Sequence, residues 1–151
     1  MMPKWLMLSH AARQGWDIGD LRRPDVAYQL SLRLGASYEA TCRTLARYRL
    51  IDTPAMNALL ASKPRAQKVA LLAGHVPEDY RGDVWSLTER DAGTRIDGSH
   101  NDTFVMELTE HSGGGYVWDF DKLAASGFAV IADDRRAAAR ARAADANRVV
   151  L

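Results

Sequence analysis

The chain has 151 residues, of which 47% are hydrophobic and 26% charged, and its formal net charge is +1. This composition is typical of a folded globular chain and excludes wholesale disorder, collagen and a coiled coil. No run approaches the about 20 consecutive apolar residues of a membrane-spanning helix, and residues 1–8 lack the features of a secretory signal. The single cysteine, Cys42, excludes an internal disulfide and a multi-cysteine zinc cage. We therefore expect a cytoplasmic chain that does not bind a membrane.

Charge and patterning both change along the chain. Residues 1–80 hold 11 Lys and Arg against 7 Asp and Glu, a net charge of +4, whereas residues 81–151 hold 9 against 12, a net charge of −3. The change coincides with a change from helical to strand-like patterning, and the residues between are rich in Gly, Pro and charge. We predict an α+β protein of two modules, a helical module over residues 1–73 and a β module over residues 83–151, with a linker over residues 74–82.

Apolar spacing predicts the helices of the first module. Residues 24–34 carry apolar side chains three and four positions apart, with Pro24 suited to a first turn and Gly35 to a helix end. Two later helices are predicted over about residues 54–61 and 64–73, each of which begins at a proline.

Between these lies a helix-turn-helix pattern. A short turn, Gly35-Ala36-Ser37, follows the first helix, and Ser37 stands where the N-cap of a second helix belongs. A recognition helix presents polar and basic side chains to DNA base edges. The candidates for contact with DNA or a repressor are Ser37, Tyr38, Thr41, Arg43 and Arg47, and Arg49 is expected later on the same helix. The alternative is a helical hairpin that packs against a neighbouring domain.

The second module has the patterning of short strands. Strands are predicted over residues 84–88, 103–108, 115–120 and 128–131, which are separated by turn-forming residues. Several such strands favour a sandwich or a barrel. The Ala and Arg content of residues 133–148 by itself predicts a helix, and the last three residues look like the start of a further strand.

No self-sufficient catalytic or metal-binding pattern is present in the sequence. The four histidines, at positions 10, 75, 100 and 111, include no pair spaced for a zinc-peptidase helix. No serine stands in a nucleophile elbow. The triplet Gly113-Gly114-Gly115 is followed by a strand pattern without a phosphate-binding lysine. We therefore expect that this chain is not an enzyme and uses no cofactor.

The most specific pattern is the segment Glu110-His111-Ser112-Gly113-Gly114-Gly115-Tyr116-Val117-Trp118. Its glycines permit close backbone approach, and Tyr116 and Trp118 would share one face of a strand. The segment is either a hairpin over a buried aromatic pair or an exposed loop that enters the cleft of a partner. In the second interpretation the contacts come from His111, Ser112, Gly113, Gly114, Gly115, Tyr116 and Trp118.

Residues 83–134 resemble the first half of the chagasin-type inhibitors of papain-like cysteine proteases. The family's loop reads Glu-Asn-Pro-Thr-Thr-Gly-Tyr-x-Trp, and the matching residues are Glu110, Gly115, Tyr116 and Trp118. The resemblance implies a partial immunoglobulin-like β-sandwich whose loops wedge into the cleft of a papain-like cysteine protease. It also implies a β loop, not a helix, over residues 133–148. Residues 111–114 depart from the family loop, and the family's later inhibitory loops are missing.

Residues 1–73 resemble the C-terminal part of the ImmA/IrrE-type zinc metallopeptidases. The similar motifs are Met2-Pro3-Lys4-Trp5 and Ala36-Ser37-Tyr38-Glu39-Ala40, the latter followed by Arg43 and Leu45. The family's zinc-binding helix has no counterpart in this sequence. Because both resemblances are partial, we expect an internal piece of a longer peptidase–inhibitor fusion, or a degraded or mispredicted reading frame. The implied partner is a papain-like protease or the parent protein's own peptidase domain.

Overall fold

The structure is a computed structural model, and it describes residues 2–77, 80–111, 118–137 and 145–150. These residues form helices and a small sheet, which confirms the α+β class. The helices are α1 (Lys4–Gln14), α2 (Pro24–Arg33), α3 (Tyr38–Arg47), α4 (Thr53–Ala61), α5 (Pro64–Leu71) and α6 (Asp121–Ala125). The strands are β1 (Val84–Leu87), β2 (Thr103–His111), β3 (Asp133–Ala137) and β4 (Asp145–Val150). No described helix is long and apolar enough to cross a membrane.

The predicted starts and ends of α2 and α3 are found in the structure. Pro24 occupies the first turn of α2, and Gly35 takes a left-handed conformation with φ of 58° just after its end. Ser37 is the N-cap of α3, because its side chain accepts the Ala40 backbone N–H at 3.2 Å. The predicted length of α3 is wrong at its far end: the helix stops at Arg47, and Arg49 lies beyond it with φ of 56°.

The apolar faces of α1 to α4 enclose one core. Its buried members are Met7, Ala11, Leu21, Val26, Ala27, Leu30, Cys42, Leu45, Leu50, Ile51 and Leu59. The Cys42 side chain is inside this cluster, and burial is the main reason that the pKa of its thiol is raised. A buried thiol with a raised pKa is a packing residue and a poor nucleophile.

The four strands form one mixed sheet in the order β1-β2-β4-β3. β1 runs parallel to β2, with Val84 opposite Thr103 and Leu87 opposite Met106. β4 lies antiparallel between β2 and β3, so that Val150 is opposite Met106 on one side and Asp133 on the other. An immunoglobulin-like sandwich packs two antiparallel sheets, and the described residues contain one sheet with a parallel pair.

Several predicted elements of the second module are wrong. The helix that the composition of residues 133–148 favours is wrong where the structure describes this range, because residues 133–137 and 145–150 are the strands β3 and β4. Pairing of distant segments outweighs the small helix preference of each Ala and Arg. Residues 118–120 and 128–131 are irregular, and α6 lies between them. The remainder of the predicted strand over 115–120 lies outside the described residues.

Polar side chains join the helices to the sheet. Gln29 of α2 bonds both Val84 and Ser86 of β1, and the Tyr28 hydroxyl donates to Asp83 at 2.9 Å. Lys68 of α5 donates to the carbonyl of Gly82 at 2.8 Å. Residues 82 and 83, where the predicted linker ends, are thus bonded to α5 and α2 respectively. β1 is bonded directly to α2.

Candidate functional site

The segment with the most specific sequence pattern begins where β2 extends beyond β1. β1 ends opposite Met106, whereas β2 continues to His111. Over these last residues β2 has β4 on one side. On the other side the Glu89 carboxylate accepts the Thr109 backbone N–H at 2.5 Å. A side chain therefore takes the place of a strand partner and covers an edge that would otherwise be open.

Trp118 completes this arrangement from the other end of the segment. Its indole Nε1 donates to the Thr109 carbonyl oxygen at 3.0 Å, so residues nine positions apart meet. The ring stays 41% exposed. This hydrogen bond ties Trp118 to β2, so that the two ends of the segment 109–118 lie next to each other.

Of the other proposed contacts of this loop, the structure describes only the backbone of His111. His111 is the last residue of β2, where its backbone is opposite Asp145 of β4. The remaining contact residues of the prediction, Ser112, Gly113, Gly114, Gly115 and Tyr116, lie outside the described residues.

An apolar groove runs beside β2 and was not predicted. Its volume is about 750 Å³, and its lining includes Phe104 and Met106 of β2. Phe128, Val130 and Ile131 also line it and are each 43–54% exposed. The Phe104 and Phe128 rings meet edge to face, with centroids 5.8 Å apart. The apolar run 128–131 is the sequence signal for this groove, but by itself it predicts a strand.

The helix-turn-helix candidates divide into packing residues and exposed residues. The Thr41 side chain is 0% exposed, and the Tyr38 hydroxyl donates to the Leu59 carbonyl at 3.0 Å. Desolvation is the main cause of the raised pKa of Tyr38, with Cys42 as a further cause. Ser37 is used as the helix cap. Only Arg43 and Arg47 among these candidates present basic side chains to solvent, one helical turn apart on α3.

Both exposed arginines have partners on the protein. Arg43 pairs with Glu39 at 2.8 Å, and the Arg47 guanidinium lies 5.0 Å from the Tyr48 ring centroid. Exposed pairs of this kind are weak, so both side chains can exchange these contacts for a phosphate group.

Candidate metal ligands are not gathered together in the described part of the chain. No group of three or more His, Cys, Asp or Glu side chains there is arranged to hold an ion.

Comparison with known proteins gives no relative. No family model, no curated protein and no solved structure matches this chain. The two family resemblances therefore rest on the sequence motifs that carry them.

Proposed function

We propose that this chain is a non-catalytic protein-binding chain that inserts residues 111–118 into the cleft of a papain-like cysteine protease. The observation that carries the proposal is the hydrogen bond between the Trp118 indole and the Thr109 carbonyl. It fixes one end of the segment on the sheet, and a segment held at its base loses less conformational entropy when it binds. The parent protein's own peptidase domain would be bound in the same way.

The apolar groove supports a protein as the partner. Val130 and Ile131 are large apolar side chains that stay about half exposed along this groove. Contiguous exposed apolar surface is typical of sites that bind other proteins. In this proposal the groove contacts the partner's surface beside the cleft, while Trp118 anchors the loop.

The proposal includes the finer fold that the two resemblances imply. Residues 83–151 would form a partial immunoglobulin-like sandwich, for which the antiparallel order β2-β4-β3 is support. α2 and α3 would form a helix-turn-helix-like unit, for which the turn at Gly35 is support.

Titration of papain with the full chain tests the proposed function. We expect papain activity to fall as the chain is added, and Trp118→Ala to weaken inhibition by at least about tenfold, which corresponds to about 1.4 kcal/mol. Trp5→Ala is the matched control, because Trp5 is 68% exposed on α1, in the helical module. The control variant is expected to inhibit like the unmodified chain.

Two results would contradict this proposal. One is unchanged papain activity in the presence of a large excess of folded chain. The other is equal inhibition by the Trp118→Ala and Trp5→Ala variants, since the loop anchor would then be irrelevant. Circular dichroism of each variant establishes that it is folded before it is assayed.

The exposed arginines of α3 favour a second candidate function, the binding of DNA or a repressor. Arg43 and Arg47 share one helix face that follows the Gly35 turn. If they contact DNA phosphates, the double variant Arg43→Gln/Arg47→Gln lowers the salt dependence of duplex binding by about two counterions. The matched control, Arg22→Gln/Arg23→Gln, leaves that dependence unchanged. Absence of duplex retention at low salt would exclude the DNA-binding alternative.

A further inference from the structure

A small cavity lies between α1, the end of α2 and residues 91–97. Its volume is about 160 Å³, many times the about 10–15 Å³ needed to hold one water molecule. The ionisable residues that line it are His10, Arg13, Arg33, Asp91, Arg95 and Asp97. We propose that this cavity binds a small oxyanion, such as a phosphate, sulfate or carboxylate group.

The first support is an excess of positive charge around the cavity. Arg33 pairs with Asp91 at 3.1 Å, and Arg95 pairs with Asp97 at 3.0 Å. These pairs leave Arg13, which has no carboxylate partner among the described residues. One cationic side chain at the cavity is therefore uncompensated, and an anion would balance it.

The second support is the placement of donors on one face of α1. His10, Arg13 and Gln14 are spaced three and four residues apart, so they lie on the same side of the helix and all line the cavity. Burial is the main reason that the pKa of His10 is lowered, and the positive charges of Arg33 and Arg13 lower it further. The two arginines therefore create a positive electrostatic potential at the His10 imidazole, and this potential attracts an anion to the cavity.

The third support is an unused hydrogen-bond donor. The Thr94 hydroxyl lines the cavity, is enclosed, and has no hydrogen-bond partner among the described residues. A buried polar group without a partner is unfavourable, and an oxyanion in the cavity would accept its proton.

The side-chain chemistry favours an oxyanion over a cation. The Asp91 carboxylate is already occupied by Arg33 and Gln14, and the Gln14 amide donates to it at 2.6 Å. The free groups are donors: the Arg13 guanidinium and the Thr94 hydroxyl. A guanidinium matches two oxygens of a phosphate or carboxylate at once.

The test is an NMR titration of the His10 imidazole in the full chain at matched ionic strength. Sodium chloride is the reference, sodium sulfate is the tetrahedral probe and sodium acetate is the carboxylate probe. A bound anion favours the protonated imidazole, so we expect a saturable rise of the His10 pKa with at least one oxyanion. A response to sulfate alone assigns phosphate-like ligands, and a response to acetate alone assigns carboxylates.

Variants connect the response to this cavity. Arg13→Gln is expected to lower oxyanion affinity by at least about tenfold, and Thr94→Val, which removes only the hydroxyl, by several-fold. Arg65→Gln, an exposed arginine of α5, is the matched control and keeps the response. The proposal is overturned if neither oxyanion shifts the His10 pKa relative to chloride. It is also overturned if both cavity variants bind as tightly as the control.

Discussion

Arg33 and Asp91 form an enclosed ion pair between α2 and the segment that follows β1. Both side chains are only 6% exposed. Arg33 also donates to the Ser86 carbonyl at 2.9 Å, and its guanidinium lies 5.5 Å from the Trp16 ring centroid. Loss of one partner would leave the other charge buried without compensation, which is strongly unfavourable.

We predict that Asp91→Ala lowers the free energy of unfolding by about 3–5 kcal/mol, as measured by urea denaturation. The matched control is Asp97→Ala, which breaks the Arg95–Asp97 pair. Those side chains are 89% and 82% exposed, and the cost of an exposed pair is within about 1 kcal/mol. Equal costs for the two variants would show that enclosure of the Arg33 pair is unimportant.

Asp102 gives the chain an acid-sensitive contact. Burial opposes ionisation of this carboxyl, but hydrogen bonds from the Ser99 and Asp83 backbone N–H groups and from the Trp85 indole outweigh burial. The positive charge of Lys68 acts in the same direction, and the pKa of Asp102 lies below its ordinary value. A carboxyl group whose pKa is lowered by folding stabilises the folded state at pH values above its unfolded pKa of about 3.9. This stabilisation is lost as the pH falls through the folded pKa.

We therefore predict that the stability difference between the unmodified chain and Asp102→Asn is largest above about pH 5 and shrinks below about pH 4. Urea denaturation at several pH values measures it. Asp97→Asn is the control, and its difference from the unmodified chain is expected to be small throughout. A difference for Asp102→Asn that grows toward low pH would have the wrong sign and would contradict the assignment.

At the scale of elements, β1 is an edge strand whose open side is covered by side chains of α2, and Gln29 makes two of these contacts. Gln29 Nε2 donates to the Val84 carbonyl at 2.7 Å, and Gln29 Oε1 accepts the Ser86 N–H at 2.9 Å. The amide thus bonds to β1 as a neighbouring strand would, and it satisfies backbone groups that are otherwise buried without partners.

We predict that Gln29→Leu lowers the free energy of unfolding by about 1–3 kcal/mol for the unsatisfied groups. Gln67→Leu is the matched control, since the Gln67 amide donates locally to Ser62 and its loss is expected to cost less than about 1 kcal/mol. Chemical denaturation compares the two variants. A Gln29→Leu chain as stable as the control would mean that water satisfies β1 instead.

The elements of the fold differ in how far the sequence predicts them. α2 and α3 follow from local signals, because Pro24, Gly35 and Ser37 act on their immediate neighbours. The composition of residues 133–148 does not indicate β3 and β4, because its Ala and Arg content predicts a helix, whereas β4 forms by pairing with β2 and β3 by pairing with β4. The contacts at the base of the candidate loop could not be predicted either, since no local sequence pattern indicates that Glu89 and Trp118 bond to Thr109.

At the scale of the whole molecule, hydrogen bonds from side chains of α2 join the helices to the sheet and to the segment after β1. Tyr28, Gln29 and Arg33 of α2 all bond to residues 83–91. Units joined by buried polar contacts unfold together more readily than units on a free linker.

We predict that the core of the helices and the centre of the sheet unfold in one transition. Native-state hydrogen exchange measures this at the backbone amides of Leu45 in α3 and Val105 in β2, whose side chains are both buried. The two amides are expected to show the same free energy of opening. A markedly lower value at Val105 would show that the second module opens independently.

The measurement that tests the proposed function most directly is calorimetric binding of the full chain to papain in two forms. One form has an open cleft, and the other has its cleft filled by an irreversible active-site inhibitor. If residues 111–118 enter the cleft, the chain binds the open form saturably and does not bind the filled form. Failure to bind the open form, or equal binding to both forms, would contradict the proposal.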